Sequence, residues 1–289
     1  MPFEKVKREK SKLRLALTGP SGAGKTLSAL LLAYGITEDW AKIALIDTEH
    51  GRAKFYASRS DLETGEFLYQ EMTAPYSPNK YMNMVREGAE AVGADGVVII
   101  DSFSHAWENE GGVLDIKSQI VENTKKTDYT AWGEAGKIQN NLVNSILSAN
   151  CHTIVTMRTK TAYVMEQNDK GKTVPVKVGL APIQRENTEY EFDIVLNIAR
   201  NHVASASKDT TFLDNWSGII TSELGESLRE WLDDGVEPEI CADCKCRIFQ
   251  GMGRTIQQIA DGTLKKYGRK LCLRCMAKEV KKLKEETRV

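Results

Sequence analysis

The chain has 289 residues, of which 41% are hydrophobic and 27% charged, and its net charge is −1. That apolar content supports a substantial buried core and excludes disorder of the whole chain. No apolar run approaches the roughly 18 residues that a membrane helix needs. The charged first residues lead into no apolar stretch before Leu13, so no signal peptide and a cytoplasmic location are expected.

Residues 1–11 read as a short charged arm. Residues 13–18 (LRLALT) form a buried strand that stops at a glycine, and 26–34 (TLSALLLAY) a helix free of breakers. Residues 43–46 and 97–100 are continuous apolar runs, as expected of parallel strands covered on both faces, and a helix is predicted over 80–92 between them. A longer helix follows at 131–149, then a fourth strand at 152–157. This alternation predicts an α/β fold, a mainly parallel sheet flanked by helices. The pattern then changes: 161–166 and 173–178 read as the arms of a hairpin around QNDKGK, 192–198 as a strand and 224–232 as a helix. The core thus spans 12–234, with 235–240 (containing GVEPE) as a linker and 241–289 as a small second domain.

Residues 19–26 (GPSGAGKT) fit the pattern G-x-x-x-x-G-K-[ST] between a strand and a helix. Across Gly19, Pro20, Ser21, Gly22, Ala23 and Gly24, the glycines let the backbone curl so that its N–H groups point at phosphates. Lys25 is expected on the β- and γ-phosphates of ATP and the Thr26 hydroxyl on Mg²⁺. Asp101, which ends the run VVII, stands where the second magnesium ligand belongs. Glu49, just past the strand 43–46, is placed to orient and deprotonate the attacking water. An ATP hydrolase is the expectation.

The stretches ALIDTEHGRAKFYA (44–57) and GVVIIDSFS (96–104) resemble the RecA recombinases, in the segments that carry the catalytic glutamate and the Walker B strand. The resemblance covers about residues 12–200. It implies a RecA-like P-loop core, with Glu49 as the base and Tyr56, seven residues later, as the platform on which adenine stacks. The arm is shorter than the usual polymerisation arm, and MRTK (157–160) stands where a glutamine-bearing DNA loop is expected. DYTAW, TMRTKTAYV, PIQREN and YEFDIVLNI are similar to the short, core-only RecA-like proteins of bacteriophages, which act as single-strand annealing proteins. That resemblance implies a filament or ring of identical subunits, DNA-stimulated ATPase activity, action alongside a single-strand-binding protein, and residence in the host cytoplasm. A helicase or helicase loader, and an ATP-switched DNA-binding regulator, are the alternatives.

Two cationic regions offer themselves to single-stranded DNA. Residues 158–185 carry six basic residues, Arg158, Lys160, Lys170, Lys172, Lys177 and Arg185, against Glu166 and Asp169, with Tyr163 available to stack on a base. Arg158 or Lys160 has a competing role as a γ-phosphate sensor or as a finger into a neighbouring subunit. Trp107, Tyr129 and Trp132 either stack on DNA bases or pack in the core. Residues 241–289 carry 13 Lys+Arg against 5 Asp+Glu, net +8, which leaves the rest at net −9. In that tail Cys241, Cys244, Cys272 and Cys275 form two C-x₂-C pairs with 27 residues between, a pattern suited to tetrahedral Zn²⁺ in a treble-clef-like finger. Cys244 with Cys246 is an alternative first pair. Cys151 reads as a buried filler.

Overall fold

The computed structural model describes residue 3 and residues 5–124, 127–167 and 173–286, with side-chain detail for these except 162–167, 173–178, 284 and 286. The chain divides into two units, Lys12–Trp231 in one and Met1–Ser11 with Leu232–Val289 in the other.

In the larger unit the elements run β1 (Arg14–Gly19), α1 (Lys25–Thr37), β2 (Ile43–Asp47), β3 (Leu68–Glu71), α2 (Pro78–Val92) and β4 (Val97–Asp101). They continue with α3 (His105–Glu108), α4 (Val113–Thr124), α5 (Asp128–Leu147), β5 (His152–Gln167) and β6 (Thr173–Pro182). The unit closes with β7 (Ile194–Ile198), β8 (Val203–Lys208), β9 (Ser217–Ile219) and most of α6 (Ser222–Asp233). The sheet order is β3-β2-β4-β5-β1-β7-β8-β9, with β6 paired to β5 alone. Strands β3 to β7 of that order are parallel, and β8 and β9 add on antiparallel. Because β5 lies between β1 and β4, the loop after β1 and the carboxylate ending β4 face each other across one strand. The registers Gly19↔Arg158 and Asp47↔Asp101 align the carboxyl ends of β1, β2 and β4 with the point where β5 leaves the parallel sheet, the edge where open α/β sheets bind ligands.

Alternation explains the near-continuous apolar strands. Ala16, Ile46, Val98, Ile100 and Val155 join one buried cluster with Tyr81, Met84 and Val85 of α2 and Leu142 and Ile146 of α5. Their neighbours Leu15, Leu17, Leu45 and Ile99 are just as buried and point to the opposite face, which α1 covers. Helix α1 meets α6 at two glycines: a Cβ on Gly35 would lie 1.9 Å from the Ser222 carbonyl oxygen, and one on Gly225 2.4 Å from that of Leu32. Helix ends follow local chemistry. Ser77 caps α2 with Pro78 at its first turn, and Thr127 caps α5.

Several elements differ from the sequence reading. The strand expected at 152–157 and the hairpin arm at 161–166 are one strand, β5, whose distal half leaves the parallel sheet to pair with β6. β3 was not anticipated because its four residues, LYQE, are mostly exposed and show no apolar run. β8 and β9 were missed because both are largely polar.

In the smaller unit, Glu9 bridges to Val236, the Lys10 N–H donates to the Val236 oxygen at 3.1 Å, and Arg247 pairs with Glu9. The arm and the segment expected as a linker therefore share a unit with the cysteine tail. α7 (Ile256–Tyr267), started by a Thr255/Gln258 capping box and stopped at Gly268, fills the spacer between the cysteine pairs, and α8 (Leu273–Glu286) follows the second pair. Ile248, Ile259, Ala260 and Leu271 pack with Cys241 and Cys275 into a small core.

Candidate nucleotide site and cysteine cluster

The loop between β1 and α1 is held tight. Gly19 has no room for a side chain, since a Cβ would lie 2.5 Å from the Ile198 oxygen, and Gly24 sits at φ 90°. Lys25, 8% exposed, donates from Nζ to the Gly19 and Pro20 carbonyls, each at 3.0 Å. Burial lowers its pKa, while Asp101 and Glu49 raise it. His202, in the β7–β8 turn, places Nδ1 3.0 Å from the Ala23 oxygen and braces the loop from outside.

Asp101, 3% exposed, accepts from Thr26 Oγ1 on Oδ2 and from Thr156 Oγ1 on Oδ1, each at 2.5 Å. Burial pushes its pKa up, and the two hydroxyls pull it down. The Thr26 hydroxyl and the Asp101 carboxylate form an adjacent pair of hard oxygen donors, a set that fits Mg²⁺. Thr156 supports that carboxylate from β5, a role with no sequence signal beyond its place on a strand.

Glu49 stands at the end of β2, where Asp47 shapes the turn. The buried Asp47 carboxylate accepts from the Glu49 N–H at 2.5 Å and the Ala53 N–H at 3.1 Å, and the Tyr69 hydroxyl donates to it at 3.2 Å. Thr48, between the two acids, ties the turn to the end of β4: its N–H donates to the Asp101 oxygen at 2.7 Å, and its Oγ1 accepts the Ser102 N–H at 2.8 Å. That Oγ1 also lies 2.8 Å from Nδ1 of the buried His105. Asp47, Thr48 and His105 escaped the sequence reading, although an Asp two residues before a functional group is an Asx-turn signal. The Glu49 side chain is gripped through Oε1 by Arg158, from Nε at 2.9 Å and from a terminal guanidinium nitrogen at 2.8 Å, while Arg52 lies 3.5 Å from Oε2.

Ser21, Gly22, Gly24, Lys25, Thr26, Glu49, Asp101 and Arg158 line one pocket of about 330 Å³ with Tyr56. Phe55, 74% exposed, lines it too and had not been singled out. A glycine-rich loop, a lysine, an adjacent hydroxyl–carboxylate pair, a second carboxylate and two aromatic rings thus converge. Of the other residues expected to contact DNA, Lys160 and Arg185 are described and do not line this pocket. Lys160 is exposed on β5, and Arg185 donates to Asn140 Oδ1 at 2.8 Å. Lys170 and Lys172 fall outside the described residues, as do the side chains of Tyr163 and Lys177. Trp107 and Trp132 stack on each other, ring centroids 5.9 Å apart, while Tyr129 is 87% exposed.

In the smaller unit the sulfurs of Cys241, Cys244, Cys272 and Cys275 all lie within 4.8 Å of one another. The Cys244–Cys272 separation of 3.7 Å matches the edge of about 3.8 Å that a tetrahedron with Zn–S bonds of about 2.3 Å requires. The four thiols therefore fit Zn²⁺. Cys246 is outside the group, its Sγ donating to the Cys244 carbonyl at 3.4 Å. Helix α7 accounts for the long spacer. Cys151 is buried, as its sequence context indicated.

No described helix is long and apolar enough to cross a membrane. The family described as AAA domain matches residues 11–223. No curated protein shows significant similarity to the chain.

Proposed function

Because the chain belongs to the AAA-domain family of P-loop ATPases, we propose that it hydrolyses ATP and couples the cycle to single-stranded DNA in recombination or strand annealing. The observation that carries the first half is the meeting of Lys25, the Thr26–Asp101 pair and Glu49 in one pocket. Lys25 leaves its two carbonyl partners for the β- and γ-phosphates, and Thr26 and Asp101 would hold Mg²⁺, whose charge offsets that of the phosphates. Glu49 takes the proton of the water that attacks the γ-phosphorus as the bond to the bridging oxygen breaks. Tyr56, with Phe55 beside it, offers the base a flat apolar surface.

Arg158 belongs to this chemistry rather than to the DNA contacts. Its guanidinium holds Glu49 and is placed to move to the γ-phosphate, which frees the carboxylate. Its backbone belongs to β5, where the Ile183 N–H donates to the Arg158 oxygen at 2.7 Å and closes the base of the β5–β6 hairpin. That placement supports a link between nucleotide state and the basic hairpin. The resemblance to RecA supports assembly as a filament or ring with ATP between subunits, and the net charge of +8 from residue 241 on supports a second polyanion contact.

The test is ATPase activity of the full chain with and without single-stranded DNA across a salt series. Stimulation is expected, with binding that weakens steeply as salt rises. Charge reversal at Lys160, Lys172 and Lys177 should remove the stimulation and spare basal nucleotide binding. A chain that binds no single-stranded DNA overturns the recombination reading and leaves the ATPase assignment standing.

A further inference from the structure

A second pocket, of about 420 Å³, shares no residue with the nucleotide pocket. One wall is α5, which presents the carboxamides of Gln139, Asn140 and Asn144. The other is the segment just after β6, with Arg185, Glu186 and Glu191. Gln139 is 1% exposed. Its Nε2 donates to Gln184 Oε1 at 2.9 Å, and Gln184 in turn donates to the Phe103 oxygen at 3.2 Å, which fixes the amide's orientation. The Gln139 Oε1 is left with no donor among the described residues, and a buried acceptor in that state is costly.

The charge balance excludes an anion. Among the described residues Arg185 is the one cation on the walls, and it already donates to Asn140 Oδ1 at 2.8 Å, while two carboxylates line the same space. The Glu186 and Glu191 carboxylates supply acceptors, the Asn140 and Asn144 carboxamides add N–H donors beside them, and the orphaned Gln139 oxygen lies buried in the α5 wall behind them. The complementary ligand is neutral and carries N–H donors for the carboxylates beside acceptors for the carboxamides, as the edge of a nucleobase does. Carboxamides and carboxylates read the edges of unpaired bases in this way, and an exocyclic amino group supplies the donors. The pocket's lining resumes at Arg185, three residues past Pro182, where β6 ends, which places it next in the chain to the β5–β6 hairpin.

We infer that this pocket takes one nucleobase with an exocyclic amino group (adenine, cytosine or guanine) from a single strand lying along the β5–β6 hairpin. The inference rests on the single-stranded-DNA reading above. It adds a base-reading site to a surface otherwise expected to follow phosphates.

The test is fluorescence anisotropy of the full chain, with ATP and Mg²⁺, on two labelled oligothymidines. One carries internal adenines and the other carries purine at the same positions, which lacks only the amino group. The adenine oligonucleotide should bind at least about 5-fold more tightly, the low end for a good base contact. Asn144→Leu and Glu191→Gln, both at exposed positions, should each erase that difference while leaving plain oligothymidine binding and basal ATPase activity unchanged. Equal affinity of the wild-type chain for both oligonucleotides, or a difference that survives both substitutions, overturns the inference and spares the DNA reading. Failure to bind any oligonucleotide overturns both. Free deoxycytidine that binds without DNA, and no longer does after Asn144→Leu, would assign the pocket to a nucleoside and overturn the strand-bound form.

Discussion

His152 opens β5, and its Nδ1 accepts the Leu13 N–H at 3.1 Å in a site where the residue is 7% exposed. Burial, reinforced by the charges of Lys12 and Arg14, pushes its pKa down from 6.5 to about 3. The folded value lies below the unfolded one, so neutral His152 contributes stability that is complete above pH 6.5 and is lost as pH falls toward 3. Linkage between those two values gives a loss of about 2 kcal/mol from pH 8 to pH 5, and a ceiling of about 5 kcal/mol in stronger acid. His152→Asn keeps an acceptor for the Leu13 amide and removes the titration. Urea unfolding at pH 8 and pH 5, followed by tryptophan fluorescence, measures the difference. All five tryptophans, Trp40, Trp107, Trp132, Trp216 and Trp231, belong to the larger unit, so the signal reports on the one that contains His152. The wild-type chain should lose about 2 kcal/mol more between these pH values than the variant. Equal losses would show that His152 is not held neutral in the fold and would refute the reasoning.

Glu49→Gln should bind ATP yet hydrolyse it at least about 100-fold more slowly, the lower bound for a positioned base. Lys25→Ala should instead lose nucleotide affinity, and single-turnover assays beside equilibrium binding separate the two. The purified chain should carry one zinc, measured by elemental analysis, and replacing Cys272 and Cys275 by Ser should release it and unfold the smaller unit without loss of ATP binding. Gly35→Val would drive its side chain into the backbone of α6, where a Cβ alone already lies 1.9 Å from the Ser222 oxygen. A loss of roughly 3 kcal/mol or more is expected in urea unfolding, whereas the same change at Gly133, which has open space around it, should cost much less.

The phosphate loop was legible in the sequence because its chemistry is local. Eight contiguous residues, with a strand before and a helix after, contain the glycines, the lysine and the hydroxyl that the site uses. The cysteine pairs were legible for the same reason, since each C-x₂-C brings two thiols to one cluster. The parallel core strands announced themselves as unbroken apolar runs because both faces are covered. β3 and β8, exposed or polar, carried no such mark, and α7 lay hidden in a spacer read only by its length.

Tertiary structure alone decided what meets what. Glu49 and Arg158 are 109 residues apart, and they touch because β5 inserts between β1 and β4 and brings the end of its parallel half to the same edge of the sheet as the end of β2. Thr156 reaches Asp101 by the same strand order, and Gln184 reaches Phe103 by the return of β6. Strand order depends on how whole faces bury against one another, a sum over many weak contacts that no local pattern encodes. The sequence therefore named the candidate groups, and the packing of the sheet determined their partners.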